Sequence, residues 1–180
     1  MKAFLLALLV AVLGSSCADT RHRMIVSVAE QRMVVLDEGK MIGQFPVSTS
    51  KFGVGVAPDG VKYFTPLGRH AVAKKIGGGQ PLGMKFKSRK ATGEIVPVNA
   101  PGRDPIVTRI LWLKGLEAQN KSTFGRYIYI HGTPEEAKLG KPASYGCVRM
   151  RSVDVAWLYD IVGKGARVDI LLGPVSSAAP

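Results

Sequence analysis

From Met24 onward the chain reads as short apolar runs cut apart by glycine and proline, a rhythm that points to a mostly β domain. Met24-Ile25-Val26-Ser27-Val28 and Gln31-Arg32-Met33-Val34-Val35-Leu36 read as strands. Asp37-Glu38-Gly39-Lys40 reads as a hairpin turn, with Gly39 free to take a positive φ, and Met41 to Val47 as the next strand. Ala71 to Lys75, Thr108 to Leu113, Arg126 to Ile130 and Arg167 to Leu172 repeat the pattern. Residues 76–106 are expected to be loop-rich, with Gly77-Gly78-Gly79 and Pro81, Pro97, Pro101 and Pro105 interrupting regular structure. Two short helices are expected. One runs from Pro134 to Gly140. The other starts at Ser152 or Asp154, carries Val155, Ala156, Leu158, Tyr159 and Val162, and ends at Gly163 and Gly165. The 180 residues suit one domain with short extensions, without internal repeats.

The first 17 residues read as a targeting segment. Lys2 gives a positive start, and Phe4 to Leu13 is an apolar run too short to span a bilayer. Two processing patterns fit. Ser16-Cys17-Ala18 suits an ordinary signal peptidase. Gly14-Ser15-Ser16-Cys17 suits a lipoprotein signal with lipid on Cys17, although Leu13 lies one place further from the cysteine than usual. The lipoprotein reading is preferred because the cysteine falls at the end of the apolar run. Either places the domain outside the cytoplasm, in the periplasm or cell envelope. Residues 18–23 are expected to be a polar linker with a solvated His22, residues 24–172 the domain, and residues 173–180 a disordered tail.

With Cys17 lipidated or removed, Cys147 keeps no disulfide partner, and an unpaired thiol in an oxidising compartment favours a working one. It lies in the turn Ser144-Tyr145-Gly146-Cys147-Val148-Arg149-Met150. Sixteen positions upstream, a strand-like run delivers His131, followed at once by Gly132-Thr133. A thiol and an imidazole that meet in space make a nucleophile and its base. The bland reading, a small buried cysteine and a strand-end histidine, fits less well because the cysteine sits in a glycine-containing turn.

The segments Ile130-His131-Gly132-Thr133 and Ser144-Tyr145-Gly146-Cys147-Val148-Arg149 resemble the L,D-transpeptidase catalytic domain of bacterial cell-wall enzymes. The resemblance extends more weakly from about Met24 to about Leu172. It implies a curled β-sandwich with one or two short helices beside the site. Cys147 is then the nucleophile and His131 the base, with the Gly132 backbone carbonyl orienting the imidazole. The substrate is a peptidoglycan stem tetrapeptide, cut between diaminopimelate and D-alanine through a thioester. The acyl acceptor is an amine: a second stem, an anchored lipoprotein or a free D-amino acid; attack by water would make the chain a carboxypeptidase. Where the family usually has a second histidine this chain has Tyr145, whose phenol still donates and accepts hydrogen bonds.

Backbone N–H groups of Tyr145, Gly146 and Cys147 are candidate donors to an oxyanion, and Ser144 holds either the turn or the histidine. Arg149 either captures a substrate carboxylate or pairs with an acid such as Asp154. His70 reads as structural or surface. With only His22, His70 and His131 and no second retained cysteine, neither a zinc site nor another cofactor is expected. Phe52-Gly53-Val54-Gly55 lacks the spacing of a phosphate loop. The formal net charge of +12 suits an anionic polymer or membrane surface. The basic stretch Lys85 to Lys90 brings no recognition helix or stacking set, so nucleic acid is not expected as a partner, and residues 76–106 are read as a substrate-facing loop. A catalytically silent wall-binding module is the main rival reading.

Overall fold

The computed structural model describes residues 18–56, 63–102 and 104–178; the leader segment and Cys17 lie outside them. The architecture is mostly β, as expected. The strands are β1 (His22–Ser27), β2 (Arg32–Asp37), β3 (Lys40–Pro46), β4 (Gly68–Ile76), β5 (Met84–Lys87), β6 (Lys90–Ile95), β7 (Ile106–Gly115), β8 (Tyr129–Gly132), β9 (Val148–Met150) and β10 (Arg167–Leu171). One α-helix, α1 (Ser152–Ile161), packs on β7 and β8.

All ten strands join one hydrogen-bonded sheet in the order β3-β2-β1-β10-β4-β7-β5-β6, with β8 pairing β7 and β9 pairing β8. β1–β10 and β8–β9 are parallel and the other pairs antiparallel. The sheet curls on itself, so that Met24, Val26, Met33 and Val35 from one end share a buried cluster with Ile130, Val148 and Met150 from the other. Val155 and Leu158 of α1 close it. Alternation along β7 splits its side chains between two layers: Leu111 and Leu113 face this core, while Ile110 and Trp112 join a second cluster with Met84, Phe86 and Tyr129.

Several expectations are corrected. β1 begins at His22, so His22 and Arg23 belong to the sheet and not to a solvated linker. Nδ1 of His22 lies 2.9 Å from Asp19 Oδ2, and the same oxygen accepts from the Gly163 N–H at 2.5 Å. The loop-rich stretch contains the β5–β6 hairpin. Met84 and Phe86 bury one face of it, whereas every residue of β6 is exposed and carries no apolar signal. Within 134–140 there is only a 3-10 turn, Glu136–Lys138. Neither Ser152 nor Asp154 caps α1: Arg151 occupies the cap position and Glu136 Oε1 accepts the Ser152 N–H at 2.9 Å. The tail is pinned at its start. Ser27 Oγ donates to the Gly173 carbonyl, Val175 N–H donates to Glu30 Oε2, and Val175–Ser177 forms a 3-10 turn.

Candidate active site

β8 and β9 are short, buried and parallel, with Ile130 opposite Val148 and His131 opposite Arg149. The two-residue period of a strand then decides which side chains meet. Ile130, Val148 and Met150 point into the main core. Tyr129 and His131 of one strand, and Arg149 with Cys147 just before the other, fall on the opposite face. Cys147 and His131 accordingly line one cavity of about 160 Å³ with Asp104, Ile106, Ser144, Tyr145 and Arg149.

His131 is buried, and its Nδ1 lies 2.8 Å from the Gly132 carbonyl oxygen. A carbonyl only accepts, so Nδ1 carries the hydrogen and Nε2 of the neutral ring is left as the basic nitrogen. Burial holds this imidazole below its ordinary pKa; the negative charge of Asp104 and the Gly132 carbonyl oppose that shift. Gly132 is required here, because a Cβ at this position would lie 2.6 Å from the Val107 carbonyl oxygen.

Cys147 is the free thiol among the described residues and is partly exposed. Its sulfur accepts the Tyr129 N–H at 3.4 Å, and its S–H donates to the Tyr127 carbonyl at 3.5 Å. Burial pushes the thiol up to about 11, and Asp104 adds to the shift. The Tyr129 N–H and the charges of Arg126 and Arg149 act against it. Burial thus favours the protonated thiol and the neutral imidazole at rest, and among the described residues no hydrogen bond joins them.

The turn before Cys147 is held by Ser144, whose Oγ donates to the Cys147 carbonyl at 2.6 Å and accepts the Gly146 N–H at 3.2 Å. Ser144 thus holds the turn and not the histidine. Of the candidate oxyanion donors named from the sequence, the Gly146 N–H is already engaged. Gly146 sits at φ 115, a left-handed conformation open to glycine, and its carbonyl accepts from Thr65 Oγ1 at 3.0 Å.

Arg149 is buried with 1% exposure, and its Nη1 pairs with Asp104 and, at 2.8 Å, with Glu135; Nη2 donates to Ser48 Oγ at 3.1 Å. The guanidinium is occupied within the fold, as the reading of a structural pair has it, but its partners are Asp104 and Glu135, not Asp154. Asp104 also accepts from Thr133 Oγ1 at 2.5 Å. Sequence reasoning missed Asp104, although it is the sole acid between Glu94 and Glu117. His70 lies away from this face, fully buried, with Nδ1 2.9 Å from the Gly68 carbonyl and Nε2 3.3 Å from Thr123 Oγ1.

Residues 21–170 match the family model YkuD, L,D-transpeptidase catalytic domain. The Probable L,D-transpeptidase YbiS of Escherichia coli strain K12 is 27% identical over 164 residues, covering 88% of this chain and 48% of that protein. The Putative L,D-transpeptidase YqjB of Bacillus subtilis strain 168 is 30% identical over 149 residues, covering 80% and 68%. The crystal structure of L,D-transpeptidase 3 from Mycobacterium tuberculosis in complex with a faropenem-derived adduct aligns with a TM-score of 0.54 at 20% identity, covering 83% of this chain and 60% of that one, a likeness of fold. The chain spans about half the length of the Escherichia coli protein it matches.

Proposed function

The chain belongs to the L,D-transpeptidase family, and from that premise we propose that it is a cysteine acyltransferase acting on peptidoglycan stem peptides in the cell envelope. The observation that carries the reading is the placement of Cys147 and His131 on one sheet face, lining one cavity, with Nδ1 tied to the Gly132 carbonyl.

The steps follow from the protonation states. Because burial keeps the thiol protonated, proton transfer accompanies attack in place of a standing thiolate–imidazolium pair. The thiol proton passes to Nε2 of His131, directly or through one water, as the sulfur forms its bond to the amide carbon after the third stem residue. The resulting oxyanion is met by the Tyr145 and Cys147 N–H groups. The C–N bond breaks, and the imidazolium returns its proton to the departing amine of the terminal D-amino acid. An acceptor amine attacks the thioester, loses its proton to His131, and the C–S bond breaks to regenerate the thiol. The excess of basic residues favours an anionic wall polymer as the surroundings.

Incubation with a stem tetrapeptide, with and without an amine acceptor, tests the reading. The expected product is acceptor-linked tripeptide, lost in both Cys147→Ala and His131→Ala. Release of free tripeptide regardless of acceptor would make the chain a hydrolase. No product from folded wild type would favour a silent wall-binding module.

A further inference from the structure

With the guanidinium of Arg149 enclosed by Asp104, Glu135 and Ser48, the site needs another cation if it is to hold a carboxylate. One stands at its rim. Lys51 is exposed, and its backbone N–H donates to the Ser144 carbonyl at 3.1 Å, three residues before the nucleophile. Its ammonium lies 5.1 Å from the Phe52 ring centroid and 4.7 Å from that of Tyr145, with Nζ 3.4 Å from the Tyr145 hydroxyl. The centroids of those two rings lie 5.2 Å apart, so both present a face to the ammonium. Among the described residues no carboxylate pairs with Nζ. Lys51 and Tyr145 line a second cavity of about 590 Å³ with Asp104, Glu135 and Lys138. Tyr145 and Asp104 also line the cavity of Cys147, so the two spaces adjoin. Among the described residues around the second cavity, Lys138 pairs with Glu135 at 2.6 Å, and Asp104 and Glu135 share Arg149, which leaves Lys51 without a carboxylate partner.

We infer that Lys51, steadied by the rings of Phe52 and Tyr145, is the residue that binds a carboxylate of the acyl donor and selects for it. This rests on the proposed acyl transfer. It also gives Tyr145 a positioning role that the usual histidine at that place would fill with a different ring. A free ammonium on an aromatic ledge offers three donors and loses little by exchanging a weak hydroxyl contact for a charge-assisted bond.

Two carboxylates of the donor flank the scissile amide, that of the departing terminal residue and that on the side chain of the third, and the assignment is to one of these. Three peptides separate them: the free acid, the peptide amidated at its terminus, and the peptide amidated at the third side chain. Wild type is expected to lose roughly tenfold or more in kcat/KM on one of the two amides, the usual size of a charged hydrogen bond. Lys51→Met should lose the same factor on the free acid, mainly through KM, and nothing further on that amide, which identifies the carboxylate. Lys51→Arg should recover most of the loss. Equal use of all three peptides by wild type overturns the assignment, as does a Lys51→Met variant that keeps the wild-type preference for acid over amide. If wild type turns over none of them, the proposed function falls instead. The Lys51 assignment is then decided by the ratio of Kd values for acid and amide measured on Cys147→Ala with and without Lys51→Met; a ratio unchanged by Lys51→Met overturns it.

Discussion

The sulfur of Cys147 lies 3.4 Å from the backbone nitrogen of Tyr129, two residues before His131 on the same strand. This main-chain contact brings the thiol against the strand that carries the base. It also supplies a hydrogen bond that persists when the sulfur becomes negative. It does not by itself ionise the sulfur, because burial outweighs it.

Alkylation of the free protein should therefore be slow at neutral pH. The rate with iodoacetamide follows the thiolate fraction, so it is expected to keep rising to about pH 11, well above the ordinary cysteine value. An inflection at or below pH 7 would show a standing ion pair and contradict the resting state described here.

Acid should begin to destabilise the fold as pH falls below the ordinary histidine value. Burial holds both His131 and His70 below the ordinary histidine value. The unfolded chain thus takes up protons on these rings while the native chain does not. Stability is complete above about pH 6.5 and falls as pH drops below it. Asp19, Asp37 and Glu117 are held below the usual carboxylate range and keep their contributions to lower pH still. Tm is expected to be lower at pH 5 than at pH 7.5, with a shallower slope in His70→Gln. A Tm that stays level or rises over that range would refute the argument.

Removing the guanidinium of Arg149 leaves Asp104 and Glu135 facing a buried void. Arg149→Met should cost about 3–5 kcal/mol in denaturant unfolding. Asp104→Asn should cost less, because Glu135 remains on Arg149. Equal, small effects of the two would mean that the cluster contributes little to the fold.

Gly132→Ala tests the tie between the histidine and its own strand. The new methyl would press on the Val107 carbonyl at 2.6 Å and on the Thr108 and Val155 side chains at 3.1 and 3.2 Å. Moving the Gly132 carbonyl releases Nδ1 of His131. A fall in kcat of roughly a hundredfold is expected, the scale of a misplaced general base, with circular dichroism unchanged. Full activity would mean that the carbonyl does not position the ring.

That Cys147 and His131 would share one site was legible because a thiol in a glycine-containing turn and a histidine followed by Gly132-Thr133 carry a recognisable motif at fixed spacing. β9 was not legible, and only its pairing with β8 shows how a period of two puts both side chains on one face. The mostly β architecture was legible from the short apolar runs between glycines and prolines. Arg149 was not, since its partners lie on loops: Asp104 is forty-five residues upstream and Glu135 fourteen. Nor could spacing show that a 3-10 turn replaces the helix expected at Pro134 to Gly140, because Glu135 and Glu136 are drawn to Arg149 and the Ser152 N–H. β6 escaped notice because both of its faces are exposed, so that only its pairing with β5 defines it.

The central claim is that Cys147 is the acylated residue, and intact mass after exposure to a carbapenem tests it most directly. One adduct of the antibiotic's mass is expected at neutral pH on wild type, localised to the peptide containing Cys147, and none on Cys147→Ala. The same adduct on Cys147→Ala, or no adduct on folded wild type, would contradict it.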